Sequence, residues 1–210
     1  MITENYKAGV KYNDITRLRL FVRNNVRGKK LDHILAVENE AVKLCGIYLD
    51  REYEIKARSA ALLHDLTKHL ETEEHIGICA EYGIGLSSDD INTPKCLHSI
   101  TAAEIAKREF SADGDVYHAI LYHTLGSPDM SVLARLIYLA DYIEETRTFP
   151  DCIELRKYFY QNLNRAKTRE ERDGALADTL SLSFDYTLRN LIDENKFIHP
   201  QMISARNAFL

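Results

Sequence analysis

The chain has 210 residues, of which 45% are hydrophobic and 28% charged, and its formal net charge at pH 7 is −5. These values are typical of one water-soluble domain and exclude broad contact with nucleic acid, which requires a basic surface. No apolar run reaches the ~18 residues of a membrane helix, and the first residues lack the apolar core of a signal peptide.

Hydrophobic residues at helical spacing predict an all-α protein, since no alternating strand pattern stands out. Glycine and proline are scarce, at nine and four residues, and they fall where helices are expected to end. Helices are predicted, in chain order, over residues 12–26, 30–49, 53–66, 97–109, 115–124 and 130–146, as two helices within 150–194, and as a short helix after Pro200. The stretch before residue 97, which contains YGIGLSSDDINTP, is predicted to be loop-rich.

The remaining local signals concern one cap, the domain boundary and the cysteines. Ser127 is the predicted cap of the helix over 130–146, with Pro128 in its first turn. Residues 18–210 are predicted to form one domain, preceded by an extension over residues 1–17. The four cysteines lie far apart without a Cys-x-x-Cys pair, which predicts reduced thiols in a cytoplasmic protein.

Side chains that can bind a metal ion occur beside residues that are expected to be buried. They are His33, His64, Asp65, His98, His123 and Asp141. An unpartnered histidine or carboxylate is costly to bury, and one metal ion satisfies several of them at once. Histidine and carboxylate ligands without thiolate favour iron, manganese, zinc or a similar divalent ion. Because a carboxylate has two oxygens, Asp65 is suited to bridge two ions ~4 Å apart.

Each of these residues also has a simpler interpretation. A single histidine near an apolar face is more often a hydrogen-bonded core residue than a metal ligand. Asp141 could pair with an arginine, although Arg135, six residues earlier, is poorly placed. Four histidines lie outside the set, and of these His69, His75 and His118 are interpreted as surface or ordinary packing residues, while His199 is considered with the C-terminal tail. The order H, HD, H, H, D on successive helices favours the metal site, because the whole set is less expected by accident than any member.

This order resembles that of the HD-domain metal-dependent phosphohydrolases, which are all-α proteins. Three strings resemble the YqeK-type branch found in bacteria: ALLHDLTK, ILYHTLGSPDMSVLARLIYLADYIEETR and KFIHPQMISARN. The resemblance covers about residues 30–207 and implies a helical bundle with a two-metal site between its helices. It also implies the symmetrical hydrolysis of diadenosine tetraphosphate to two ADP with iron as the metal, manganese or another divalent ion being the alternative.

Carried over by position, the resemblance implies two ligand sets. One metal ion would be held by His33, His64, Asp65 and Asp141, and the second by Asp65, His98 and His123. A hydroxide that bridges the two ions would attack the substrate. The family usually has arginine where this chain has Lys30, which lacks the planar fork that grips phosphate in a bidentate manner. Substrate affinity is therefore expected to differ.

Candidate catalytic and substrate-binding residues surround these ligands. Asp65 and Lys68 are the predicted catalytic residues, and Lys68 is the main candidate for a phosphate contact; its alternative role is a solvated lysine at a helix C-terminus. Arg147 is a second candidate, with a salt bridge to Glu144 or Glu145 as its alternative. The full predicted substrate-binding set is Lys30, Asp65, Lys68, His98, His123, Thr124, Asp141, Arg147, Lys196 and His199. The last two belong to a C-terminal tail that would close over the nucleotide.

Two other function classes remain open from the residues. One is an HD-domain phosphohydrolase with another substrate, either a nucleotidase or a cyclic-dinucleotide phosphodiesterase. These enzymes lack the combined His-Thr-x-Gly and IHP…ARN strings. The other is a helical module that binds a nucleotide without turnover. The expected partners are a dinucleoside polyphosphate and its ADP product, with no nucleic acid and no membrane, and a homodimer is an open alternative.

Overall fold

The computed structural model describes residues 2–210, and helices are its only regular elements within that range. The α-helices, in chain order, are α1 (Ile15–Asn25), α2 (Lys29–Tyr48), α3 (Tyr53–Leu63), α4 (Thr72–Tyr82), α5 (Ser88–Asn92), α6 (Leu97–Glu109), α7 (Gly114–Leu121), α8 (Val132–Ile143), α9 (Pro150–Arg165), α10 (Arg169–Asp193) and α11 (Pro200–Asn207). Two short 3-10 helices cover Ile2–Tyr6 and Pro94–Cys96. The predicted all-α fold class is confirmed.

Helices α2, α3 and α8 form the centre of the bundle, and α7 packs against α3, α6 and α8. Their facing sides supply fully buried side chains, among them Ile34 from α2, Leu62 from α3 and Ile137 from α8. Burial of each such side chain contributes roughly 1.5–3 kcal/mol. This packing brings the ends of several helices together on one side of the bundle, where the predicted metal ligands lie.

The prediction of a loop-rich stretch before residue 97 is wrong in part, because this stretch contains α4 and α5. Helix α4 begins at a capping box formed by Glu71 and Glu74, and it ends at Gly83, whose φ of 69° is left-handed. Such a conformation favours glycine. Its first four residues are polar and Gly77 interrupts the apolar residues that follow, so the hydrophobic spacing of α4 is weak, while its start and stop signals are clear.

Two predicted helix boundaries also need correction. The helix predicted over 53–66 ends at Leu63, so His64 is its C-cap and Lys68 lies in the turn that follows. The cap of α8 is Ser131 rather than Ser127, since the Ser131 side chain accepts from the Ala134 N–H. The Ser127 hydroxyl instead accepts from the N–H of Asp129 within the preceding turn. The first error arises because Leu66 continues the apolar pattern beyond the end of α3, and the second because two serines precede α8 and either could cap it.

The first residues pack against the bundle. Tyr6 and Val10 are buried in the core, and the Tyr12 N–H donates to the carbonyl oxygen of Phe110 over 2.7 Å. The boundary proposed at residue 17 falls inside α1. The assignment of residues 1–17 as a separate extension stays a prediction.

A separate question is whether any helix could cross a lipid bilayer. Across residues 2–210, none combines the length and the apolar character that this requires. The longest, α10, has 25 residues, but charged side chains are spread along it.

Candidate metal centre

The six predicted ligands meet on one side of the bundle, although they are spread over more than a hundred positions of sequence. His33 lies in α2, His64 and Asp65 follow α3, His98 lies in α6, His123 follows α7, and Asp141 lies in α8. The local sequence explains the position of the HD pair. The N–H of His64 still bonds to the carbonyl of Ala60, and the chain then turns, so both side chains of the pair point inward. His64 is fully buried.

The two oxygens of Asp65 face two different pairs of histidines. Its Oδ1 lies 3.3 Å from His98 Nε2 and 3.5 Å from His123 Nε2. Its Oδ2 lies 3.6 Å from both His33 Nε2 and His64 Nε2. A carboxylate between two pairs of nitrogens is the arrangement expected of a ligand that two cations share.

The opposite ring nitrogens fix the orientation and the tautomer of each histidine. The Nδ1 atoms of His64, His98 and His123 each lie 2.6–2.7 Å from a backbone carbonyl three residues earlier. The Nδ1 of His33 lies 3.0 Å from Glu144 Oε1. Because these oxygens only accept hydrogen bonds, Nδ1 carries the proton in every ring. This arrangement is typical of metal-binding histidines, whose second nitrogen is then directed at the ion.

Several polar atoms of the cluster lack a partner among the described residues. The Nε2 atoms of His33 and His64 and the Oδ1 of Asp65 are buried without a hydrogen bond of acceptable geometry. The Nε2 atoms of His98 and His123 lie only 3.0 Å apart. If both rings are neutral and carry their proton on Nδ1, the lone pairs of the two Nε2 atoms point at one another and repel. A proton or a metal ion between these two nitrogens removes the repulsion. The donor set therefore fits divalent cations.

The protonation states agree with this interpretation at most of the cluster. Burial lowers the pKa of His64 to about 3, and burial also lowers the pKa of His98. Burial alone would raise the pKa of Asp65, but the neighbouring histidines and Lys68 outweigh it and hold this pKa well below its usual range. Neutral imidazoles around an ionised carboxylate are the forms that bind divalent metals.

His33 differs from the other rings. Burial lowers its pKa, but the carboxylates of Asp141 and Glu144 beside the ring outweigh burial and raise the pKa to about 9. The Nε2 of His33 lies 2.9 Å from Asp141 Oδ1. The surroundings of this nitrogen thus favour a positive charge, which either a proton or a metal ion supplies.

Three overlapping groups of ligand atoms lie within 4.8 Å of one another. They are His33, His64 and Asp65; His64, His123 and Asp141; and Asp65, His98 and His123. The first and third groups fall within the two ligand sets that the resemblance implies. The middle group takes members from both, so the two sets form one continuous cluster.

Asp141 pairs with an arginine, which from the sequence is the alternative to a role as metal ligand. The partner is Arg147, whose Nη2 lies 2.6 Å from Asp141 Oδ1 and whose Nε donates to the Asp141 carbonyl over 2.9 Å. Among residues 2–210, Glu144 and Glu145 form no salt bridge with Arg147, so that alternative is wrong. Asp141 therefore contacts both a histidine of the cluster and a cation at its edge.

Glu144 is part of the site, although the sequence suggested it only as a partner for Arg147. Its side chain is fully buried and accepts from the Thr146 N–H as well as facing His33. The Arg156 guanidinium holds this segment by donating to the carbonyl oxygens of Ile143 and Glu144. The signal in the sequence was the three-residue spacing of Asp141 and Glu144, which places both on one side of a helix.

Replacing Glu144 with glutamine is expected to weaken metal binding by ~10–100-fold. Glutamine keeps the volume and an acceptor oxygen for His33 Nδ1, but it removes the charge that makes the ring a better ligand. Titration of metal into chelator-treated protein would measure the dissociation constant. Glu145→Gln is the matched control, because Glu145 is adjacent and exposed. Equal affinities in the two variants would argue against a role for Glu144.

Three cavities open around the cluster. The lysine cavity, of about 320 Å³, is lined by Lys29, Lys30, Lys68 and Arg147 together with His33 and Asp65. The tyrosine cavity, of about 570 Å³, includes Thr124, Tyr138, Asp141, Tyr142, Arg147 and Phe149. The histidine cavity, of about 360 Å³, includes Lys68, His75, Lys95 and His98. The predicted substrate-binding residues before position 148 thus line cavities that meet at the metal-ligand cluster.

The two predicted tail residues lie elsewhere. Lys196 is exposed, and His199 caps α11 by accepting from the N–H of Gln201. The Nε2 of His199 lies 3.5 Å from Asp90 Oδ1. Neither tail residue lines any of the three cavities. Their contact with a nucleotide stays a prediction.

The other histidines divide as expected between packing and surface. His75 is buried, and its Nδ1 lies 2.9 Å from the hydroxyl of Thr101. His69 and His118 are exposed. None of the three belongs to a group of side chains that could hold a metal ion within residues 2–210.

Comparison with protein families identifies the domain to which this cluster belongs. The model of the HD domain matches residues 31–146, which include all six predicted ligands. The chain belongs to the HD-domain family. A solved structure from Clostridium acetobutylicum, described as an HD superfamily hydrolase involved in NAD metabolism, superposes with a TM-score of 0.79. It is 38% identical and covers 92% of this chain and 95% of its own.

Curated relatives carry one common description, symmetrical bis(5'-nucleosyl)-tetraphosphatase. The protein from Bacillus subtilis is 35% identical over 147 residues, which are 69% of this chain and 77% of the relative. The protein from Halalkalibacterium halodurans is 31% identical over 193 residues, or 90% of this chain and 93% of the relative. A third, from Staphylococcus aureus, is 31% identical over 156 residues. The resemblance stated from the sequence is confirmed.

Proposed function

We propose that this protein hydrolyses diadenosine tetraphosphate symmetrically to two ADP. The observation that carries this proposal is the cluster itself, in which four imidazole nitrogens face the oxygens of Asp65 and Asp141 beside a cavity lined by four cationic side chains. Three curated relatives with this activity in their names support the choice of substrate. Hydrolysis adds water across the central phosphoanhydride, so the bond from phosphorus to the bridging oxygen breaks and ADP leaves.

Two divalent ions are the proposed cofactors. His33, His64, Asp65 and Asp141 would hold one ion, and Asp65, His98 and His123 the other. The unpartnered Nε2 atoms of His33 and His64 and the two-sided position of Asp65 support this assignment. When bound, such ions lower the pKa of a coordinated water and neutralise charge on phosphate oxygens. Iron is the proposed metal, and manganese is the main alternative, because both accept histidine and carboxylate ligands.

The chain's own cations would bind and orient the polyphosphate. Lys30 and Lys68 line the lysine cavity, and Arg147 lies between this cavity and the tyrosine cavity. Their fixed positive charges would stabilise the negative charge that grows on the departing ADP. Thr124 lines the tyrosine cavity and donates its hydroxyl to Ser99 over 3.0 Å, so a phosphate contact would require this bond to be exchanged.

Product analysis is the direct test of the reaction. With diadenosine tetraphosphate and added manganese or anaerobic ferrous iron, ADP is expected as the sole nucleotide product, whereas asymmetrical cleavage would release AMP and ATP. The same assay with nucleoside monophosphates and cyclic dinucleotides tests the alternative HD-domain activities. Turnover of one of those substrates, without ADP release from the dinucleotide, would overturn the proposed function.

The proposed location is the cytoplasm. All four cysteines are free thiols, and three of them are buried, which agrees with a reducing compartment. A homodimer remains a proposal to be tested by light scattering.

A further inference from the structure

The lysine cavity and the tyrosine cavity differ in charge. The lysine cavity has four cationic side chains against two acids, whereas the tyrosine cavity has two cations against three acids. The acids are Asp65 and Glu144 in the first cavity, and Asp141, Asp151 and Glu194 in the second. A chain of phosphates is therefore favoured in the lysine cavity. An uncharged part of a ligand is favoured in the tyrosine cavity.

Phe149 lies in the wall that these two cavities share. Its side chain is 62% exposed, which is unusual for a phenylalanine in a folded protein. The residue is the N-cap of α9 and precedes Pro150 at the first helical position, so its backbone is held by the start of a helix. A planar ligand group placed over this ring would remove apolar surface from water and gain a stacking contact.

The lining of the tyrosine cavity also includes polar groups that can form hydrogen bonds with a ligand. The hydroxyl of Tyr142 donates to Asp151 Oδ2 over 2.9 Å, and the amide of Asn190 approaches the same oxygen at 3.4 Å. The N–H of Cys152 donates to Asp151 Oδ1 over 3.0 Å. An ionised carboxylate has about four acceptor sites, so Asp151 keeps capacity for one further hydroxyl or amino donor. The volume of about 570 Å³ lies within the range of small-molecule sites.

We infer that the tyrosine cavity binds a nucleoside moiety of the substrate and that Phe149 stacks on its base. A nucleoside combines the features that the cavity selects, namely no charge, a flat aromatic base and hydroxyl donors. The inference rests on the proposed function, because the phosphates attached to this nucleoside extend to the metal-ligand cluster and the lysine cavity.

Alanine substitution separates the contact with the base from contacts with phosphate. Phe149→Ala is expected to raise the dissociation constant of ADP roughly tenfold, about 1.4 kcal/mol, within the ~1–3 kcal/mol found per stacked base. The dissociation constant of inorganic pyrophosphate is expected to stay unchanged. Isothermal titration calorimetry of the metal-loaded protein measures both. Tyr158→Ala is the control, because Tyr158 is also a partly exposed aromatic residue of α9 but lines neither cavity.

Tryptophan substitution gives a second measurement, the change in fluorescence on ligand binding. A general structural defect would not produce a change that depends on which ligand is added. The chain contains no tryptophan, so Phe149→Trp introduces a single tryptophan, whose emission is distinct from that of the twelve tyrosines. Its emission is expected to be quenched by ADP and unaffected by pyrophosphate, because only the base stacks on the ring. Tyr158→Trp is expected to respond to neither ligand.

The possible failures are distinct. If Phe149→Ala binds ADP as tightly as the wild type, or weakens ADP and pyrophosphate equally, the inference is overturned. The same conclusion follows if the wild type binds no ADP. If ADP binding depends on Phe149 while diadenosine tetraphosphate is not hydrolysed, the nucleoside site stands and the proposed function fails.

Discussion

Replacing Asp65 with alanine is expected to lower ADP release by at least about a thousandfold and to remove bound metal. The reason is geometric, since one oxygen of Asp65 faces His98 and His123 and the other faces His33 and His64. Without this carboxylate, His98 and His123 lose the oxygen that both of them face, and Asp141 remains the carboxylate nearest to the Nε2 atoms of His33 and His64. Elemental analysis of the purified protein and chromatography of the nucleotide products measure the two effects.

The variant needs two controls, because Asp65 is buried and its loss also affects folding. Asp65→Asn keeps the shape and removes the charge, and circular dichroism should show an intact helical protein in both variants. Asp173→Ala removes an exposed carboxylate that pairs with Arg169 on α10, and it should leave metal content and rate unchanged. Wild-type activity with wild-type metal content in Asp65→Ala would rule out the two-metal site.

Much of the fold and of the cluster could be predicted because both depend on short-range patterns. Helical spacing identified α2, α6 and α8, whose apolar faces are continuous. The HD pair was recognisable because a histidine and a carboxylate interrupt an apolar run that the structure shows to be buried. An isolated polar pair in such a place needs partners, and the other candidate ligands likewise lie beside residues that are expected to be buried, while their division into two sets follows from the resemblance.

The parts that could not be predicted depend on contacts between distant segments. Helix α4 begins with four polar residues, so its caps are its clearest signal, and a capping box in the sequence also occurs outside helices. Glu144 contacts His33, which is 111 positions away, and its spacing from Asp141 places it near the site without identifying His33 as its partner. The alternative role of Arg147, a salt bridge to Glu144 or Glu145, is wrong because the turn after α8 directs its guanidinium back to Asp141. The exposure of Phe149 depends on what the rest of the bundle leaves uncovered.

Lys68→Met is expected to lower kcat/KM for diadenosine tetraphosphate by ~100-fold, equivalent to ~2.7 kcal/mol, while bound metal is retained. Since α3 ends at Leu63, Lys68 does not lie in the last turn of a helix, and the alternative role at a helix C-terminus does not apply. Its Nζ lies 2.8 Å from Asp65 Oδ2, and the residue lines both the lysine and the histidine cavities. Methionine preserves the length of the side chain without its charge.

The comparison with Lys43→Met separates a role in the reaction from the general loss of an ion pair. Lys43 pairs with Glu40 at the same three-residue spacing, over 3.1 Å, but it lines none of the three cavities. Lys43→Met should therefore keep wild-type kinetics. Lys68→Arg should recover part of the lost rate, because charge is restored with a different geometry. A Lys68→Met protein that loses metal and activity in parallel would indicate that Lys68 acts only by holding Asp65, since a residue that binds phosphate lowers the rate at full metal content.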